Sequence, residues 1–279
     1  MKYLQNAFEL YLNSSIHVSL AIVVFTLITY FEHDLEPDKN LIGFIFFASI
    51  TGYNFVKYAG IAKLHHLSLA KNLRIIQIFS GLSFIALIYF CFQLKIEVLI
   101  ATGILGLFTL FYAVPLFGGG KNLRSLPGIK IFIIAIVWAG STVILPLINA
   151  EKYLEIEILA NFIQRLLLVI VLTLPFEIRD LNFDRANLGT IPQKLGVFKT
   201  KTFGTFLIGF IFLIELFQNS FQLNEFLALA IILVISGVML WKSRENQKKY
   251  YASFWVEAVP IFYLGIYLCF KNVLPQILS

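Results

Sequence analysis

The chain alternates long apolar stretches with short polar ones. Runs of Ile, Leu, Phe and Val close to twenty residues long recur from end to end. A helix needs about twenty such residues to cross a hydrocarbon core of about 30 Å. Nine spans can be marked, at roughly 15–31, 41–58, 75–93, 97–117, 129–149, 159–176, 203–218, 226–241 and 253–270. Several are short for a bilayer, so they are expected to extend into flanking polar residues, to tilt or to break. The pattern predicts an all-α integral membrane bundle of nine transmembrane helices, a single transmembrane domain over 1–279.

Composition supports this reading. Hydrophobic residues make up 59% of the chain and charged ones 14%, where soluble proteins carry charge at about a quarter of positions. The first apolar run leads into "YFEHDLEPD" with no small-residue cleavage site, so a secretory signal peptide is not expected. Cys91 and Cys269 lie in separate apolar runs without metal-ligand spacing and read as small hydrophobes.

The net charge of +6 could suggest nucleic acid, but its distribution points elsewhere. With the N-terminus inside, the segments after the even-numbered spans and the N-terminus carry seventeen of the 22 Lys and Arg. The opposite side has only Lys39, Lys95, Lys152, Arg165 and Lys271, beside the acidic stretches "EHDLEPDK" and "EKYLEIE". This is the positive-inside asymmetry. It predicts a multi-pass protein with a cytoplasmic N-terminus, in the plasma (inner) membrane if the source is bacterial. Membrane lipids are expected around it, and no nucleic acid.

The densest acidic cluster sits where it is least expected, directly after the sixth span. "PFEIRDLNFDRANLGTIPQKLG" (175–196) places Glu177, Asp180 and Asp184 three and four residues apart. On a helix they share one face within about 60°. Carboxylates so spaced repel unless a cation lies between them, and Mg²⁺ accepts one or two carboxylates with water and phosphate oxygens completing its shell. Arg179 and Arg185 lie off this face and read as contacts to lipid phosphates or as salt-bridge partners. The plainer alternative is a solvated loop that ends the span. Pro175 argues for a disturbed helix at the start of the cluster, and "GTIPQKLG" for a compact turn after it. Among weaker candidates, "GGGK" at 118–121 reads as a flexible loop. His17, Glu215 and Glu257 lie near span ends, where ionisable groups are either functional or snorkelling.

With these residues in place, the chain resembles the UbiA-type intramembrane prenyltransferases. That family's second aspartate-rich motif follows its sixth span as D-x-x-x-D, and Asp180 and Asp184 occupy the two positions. Its loop after the fourth span reads Tyr-x-x-Pro-Leu followed by lysine. Here "YAVPLFGGGKNLRSLPGIK" gives Tyr112, Pro115, Lys121 and Arg124. The resemblance spans nearly the whole chain in topology and is specific in residues at 112–146 and 177–196. It implies transfer of a polyprenyl group from its diphosphate to an aromatic or other lipophilic acceptor. Magnesium and basic residues would stabilise the departing diphosphate.

The family's first motif, N-x-x-x-D-x-x-x-D after span 2, departs here. "TGYNFVKYAGIAKLHH" keeps Asn54 but has Tyr58 and Ala62 at the aspartate positions. Asn54, Lys57, Tyr58, Ile61 and His65 share a helical face, a donor surface able to meet phosphate oxygens directly. The plainer alternative makes Lys57 and Tyr58 interfacial anchors.

Two functions follow. In the first, an active prenyltransferase uses Asp180, Asp184 and Lys121 in catalysis. Asn54, Lys57, Tyr58, Tyr112 and Arg124 bind substrate, and Asp180, Asp184 and Glu177 hold Mg²⁺. In the second, a non-catalytic relative, a pseudoenzyme, keeps the fold to hold a lipid, a quinone-like molecule or a partner protein. Either site would open towards the cytoplasm.

Overall fold

The computed structural model describes residues 2–58, 70–114, 123, 126, 128–152, 155–182, 189–218 and 222–278. Among these there is no strand. The helices are α1 (Lys2–Asn13), α2 (Ile16–Glu32), α3 (Lys39–Tyr58), α4 (Ala70–Cys91) and α5 (Ile96–Ala113). They continue with α6 (Lys130–Ala139), α7 (Leu145–Asn149), α8 (Ile156–Asp180), α9 (Ile191–Leu216), α10 (Leu223–Lys242) and α11 (Val259–Leu278). A π-helical turn, Gly140–Ile144, joins α6 to α7, and a second, Tyr251–Val256, precedes α11.

Among the described residues, eight helices are long and apolar enough to cross a membrane, and the bent pair α1–α2, taken as one span, makes a ninth. The chain is an integral, multi-pass membrane protein. Its apolar residues sort by depth in the bundle. On α4 and α5, Ile78, Leu82, Ile85, Ile100 and Ile104 are exposed, as side chains bathed in lipid are. By contrast Leu168, Val169, Ile170, Val171, Leu172 and Leu174 of α8 are buried, so α8 runs through the middle. It packs against α6, α9 and α10.

Small residues set the closest approaches. Gly43 of α3 lies against the Phe90 ring of α4, and Gly204 of α9 against Leu240 of α10 and Leu174 of α8. A Cβ at either position would intrude on those side chains. Several hydroxyls inside the spans are satisfied within their own helices: Thr26, Thr29, Thr142 and Ser236 donate to carbonyls four residues back. Internal pairing of this kind is what a hydrocarbon surround demands.

Three local expectations change. Pro175 does not disturb the helix where the carboxylates begin, because α8 continues through it to Asp180. The amide NH₂ of Gln247 donates to the Pro175 carbonyl at 3.3 Å. Nor is "GTIPQKLG" a compact turn. Thr190 caps α9 in a capping box with Gln193, and Pro192 sits in its first turn, where a missing N–H costs nothing. The interruption comes later, at Gly196, whose φ of 78° is left-handed and suits glycine. The seventh span therefore starts well before residue 203.

Between α1 and α2 the chain bends by 55°. Ser15, at φ 63°, sits at the elbow. This bend places the end of α1 beside the end of α3 and prepares a cavity there.

Candidate functional site

Polar side chains converge at both ends of the bundle. At one end the elbow, α3, α5, α8 and the π turn before α11 enclose a cavity of about 440 Å³. Lys57, Arg179 and Lys249 line it, with Glu9 and Glu257 among them and Tyr53, Tyr112 and Tyr250 beside them. Leu12, Val18, Val56 and Phe176 make up its apolar share.

Each polar liner is held from the backbone upward. Lys57 Nζ and the Tyr58 hydroxyl both donate to the Asn13 carbonyl, at 3.2 and 2.9 Å. That carbonyl belongs to the last residue of α1, where a helix has no internal partner to offer. Tyr53 accepts a hydrogen bond from Trp138 Nε1 at 2.5 Å. Lys249 reaches Glu9 across the rim at 2.5 Å, and Tyr250 donates to the same oxygen at 3.0 Å. Lys249 lies outside the spans, and the Glu9 carboxylate holds its ammonium above the ordinary lysine range. His17 is buried beneath this rim. Its Nδ1 pairs with the Tyr11 hydroxyl at 2.7 Å and its Nε2 with the Phe254 carbonyl at 2.9 Å, while its ring stacks on Phe254. With both nitrogens engaged, it clamps α2 to the π turn.

The residues singled out from the sequence divide into groups. Lys57 and Tyr112 line the cavity. Asn54 is buried just behind it. It accepts from Ser15 Oγ at 2.8 Å and donates to the Ser14 carbonyl at 3.1 Å and to Ser80 at 2.7 Å. Tyr58 is occupied by Asn13. Lys121, Arg124 and Asp184 lie outside the described residues, as do Ala62 and His65.

Glu177 and Asp180 share α8 but not a partner. Glu177 is buried against Lys130 of α6, with Oε1 to Nζ at 3.1 Å. Asp180 is held by its neighbour Arg179, Nε to Oδ1 at 2.7 Å and Nη2 to Oδ2 at 3.1 Å. Among the described residues no group of three His, Cys, Asp or Glu stands where it could hold a metal ion. The described donors therefore do not fit a magnesium site: one carboxylate has a lysine, the other a guanidinium.

Two liners carry more weight here than their sequence positions suggested. Arg179 points into the cavity rather than towards lipid, its guanidinium 5.2 Å from the centre of the Phe176 ring. Glu257 lines the same cavity as Lys57 and Arg179. One signal for it was present in the sequence, a lone acid near the start of the last span.

This arrangement has counterparts among solved structures. A structure reported for digeranylgeranylglyceryl phosphate synthase in membranes matches with a TM-score of 0.58 and 18% identity, over 96% of this chain and 98% of that one. A UbiA homolog from Archaeoglobus fulgidus, solved bound to GPP and Mg²⁺, matches at 0.55 and 12%, over 98% and 100%. The fold is that of the UbiA-type intramembrane prenyltransferases. No family model matches the chain, and no curated protein sequence does either. The shared UbiA-type architecture thus extends over nearly the full length of the chain, at an identity that speaks for fold alone.

Proposed function

We propose that this chain binds a prenyl diphosphate in the cavity at the Lys57 end and transfers the prenyl group to a lipophilic acceptor. The observation that carries the reading is the convergence of Lys57 and Arg179, from different helices, on one cavity with an apolar share. Two fixed cations suit a diphosphate, a guanidinium through its planar fork and an ammonium as a point charge. Leu12, Val18, Val56 and Phe176 suit the start of a hydrocarbon chain.

In the reaction, the bond between the allylic carbon and the diphosphate oxygen breaks, and the diphosphate leaves with the electron pair. Lys57 and Arg179 stabilise the charge that develops on it, the usual form of catalysis at such a leaving group. The acceptor's nucleophilic atom forms the new bond to the allylic carbon and loses its proton. Glu257, which lines the same cavity, is the base that takes it. The fold neighbour with GPP and Mg²⁺ supports the substrate class. In this chain the diphosphate is held by cations of the protein, in place of the aspartates absent at Tyr58 and Ala62. The positive-inside asymmetry supports a cytoplasmic mouth.

The departure at the first motif favours a second reading, a non-catalytic UbiA-type bundle that holds a lipid or quinone-like molecule. Titrating purified protein with prenyl diphosphates of several lengths separates the two. The transferase reading predicts saturable binding, weakened about tenfold or more by Lys57→Met and by Arg179→Gln, the loss expected for one charge-assisted contact. Parent-like binding by both variants would remove this cavity from consideration.

A further inference from the structure

Three cations line the cavity at the Lys57 end, and two of them already hold a carboxylate. Arg179 holds Asp180, its neighbour on α8, which is not one of the lining residues. Lys249 holds Glu9, which is. The two pairs differ in kind. The first orients a guanidinium from within one helix. The second joins α1 to the stretch before the π turn, 240 residues away in the chain.

The contacts around Glu9 fix it at the rim. Its Oε1 accepts from Lys249 Nζ at 2.5 Å and from the Tyr250 hydroxyl at 3.0 Å. Phe8, beside it on α1, meets the rings of Tyr250 and Phe254 edge-on, with centroids 5.1 and 5.2 Å away. At the other end of α1 the Asn13 carbonyl is held by Lys57 and Tyr58. α1 is therefore pinned at two points beside the cavity. One anionic oxygen that takes an ammonium and a hydroxyl together is also what a phosphate oxygen offers.

This contact is made so that it can be exchanged. The Lys249 side chain stays 68% exposed and that of Glu9 26%. An ion pair so open to water is weak. A lysine on a flexible four-carbon stem turns to a new acceptor at small cost. A diphosphate carries more charge and more acceptor oxygens than a single carboxylate, so it takes the ammonium from Glu9.

We propose that Lys249 is a third cation for the diphosphate and that Glu9 occupies it until substrate enters, an autoinhibitory contact made by a carboxylate in the place of a phosphate. This rests on the reading that the cavity takes a prenyl diphosphate. Tyr250, released from the same oxygen, adds a neutral donor.

The test titrates the full chain in lipid nanodiscs with geranyl and geranylgeranyl diphosphate, comparing the parent, Glu9→Gln, Lys249→Met and the two substitutions combined. Glu9→Gln frees the ammonium and should bind about three- to tenfold tighter than the parent. Lys249→Met should bind about threefold weaker or more, and adding it to Glu9→Gln should cancel the gain. A gain that persists in the combined variant assigns the effect of Glu9 to simple repulsion and overturns the proposal. So does parent-like or weaker binding by Glu9→Gln, or parent-like binding by Lys249→Met. If Glu9→Gln fails to fold, Lys249→Met decides alone. Lys57→Met separates this proposal from the reading beneath it. Where Lys57→Met weakens binding and Glu9→Gln leaves it unchanged, the cavity stands and the role of Lys249 falls. No binding by the parent at either length removes both.

Discussion

Asn54 accepts a hydrogen bond from Ser15 Oγ at 2.8 Å and so ties the end of α3 to the elbow between α1 and α2. The asparagine that the UbiA-type resemblance places in a magnesium motif is, in this chain, a bracket for backbone geometry. Its amide NH₂ also reaches the Ser14 carbonyl and Ser80. Asn54→Ala removes both acceptor and donors from a site only 3% exposed. Leaving buried partners unsatisfied costs about 1–3 kcal/mol. Thermal unfolding in detergent should show a lower Tm, whether or not magnesium is present.

Buried Arg165 of α8 pairs with Glu32 at 3.4 Å, and Tyr263 donates to the other oxygen of that carboxylate at 3.2 Å. Arg165→Met leaves Glu32 buried without its cation, and breaking a buried pair on one side costs about 3–5 kcal/mol. Glu32→Gln keeps an acceptor for Arg165 and Tyr263 and should cost less. Comparative denaturation of the two variants checks the order.

Two glycines of α3 should respond oppositely to the same substitution. At Gly43 a Cβ would push into the Phe90 ring, whereas at Gly52 it would meet no atom within 4 Å. Gly43→Ala is expected to destabilise by about 1–3 kcal/mol, the usual range for overpacking. Gly52→Ala should be neutral or stabilising by up to about 1 kcal/mol through helix propensity. Equal effects would mean that α3 and α4 pack differently from the arrangement described.

Asp38 starts α3. Its Oδ1 accepts from the amides of Asn40 and Leu41 at 2.7 and 3.0 Å, and its Oδ2 from Asn149 at 3.0 Å. Burial pushes its carboxyl up, but these hydrogen bonds with nearby Lys95 outweigh it and hold the group below the usual carboxylate range. A depressed folded value means the contribution is present above the unfolded pKa and lost as pH falls through the folded one. Asp38→Ala should therefore cost about 1 kcal/mol near neutrality, the typical value of an N-cap, and nothing in strong acid. Denaturation of parent and variant across this pH range measures the convergence.

Much of this was legible in the sequence because lipid imposes a simple rule. Apolar runs mark the spans, and their number agrees with the eight membrane-crossing helices and the bent pair α1–α2. The positive-inside pattern singled out the end at which Lys57 and Tyr112 now meet in one cavity. Boundaries were less legible where polar residues continue a helix, as from Ile191 into the seventh span, and where Pro175 is absorbed rather than ending α8. Helical spacing puts Arg179 off the carboxylate face and left two readings, a lipid-phosphate contact or a salt-bridge partner. The long side chain reaches around that face and pairs with Asp180, the second of the two. Glu215 stood out in the sequence as an ionisable group near a span end, but its surroundings did not. Glu32, Arg165, Glu225 and Tyr263 come one each from four other spans, and only folding brings them together with it.

The affinity of a prenyl diphosphate for the purified protein, first with magnesium and then with chelator, shows what holds the diphosphate. If Lys57 and Arg179 hold the diphosphate, binding survives chelation and falls about tenfold or more in Lys57→Met under both conditions. Binding that vanishes on chelation, or no binding at any prenyl length, would contradict that account, the first by assigning the diphosphate to a metal and the second by leaving the bundle as a holder of some other lipid.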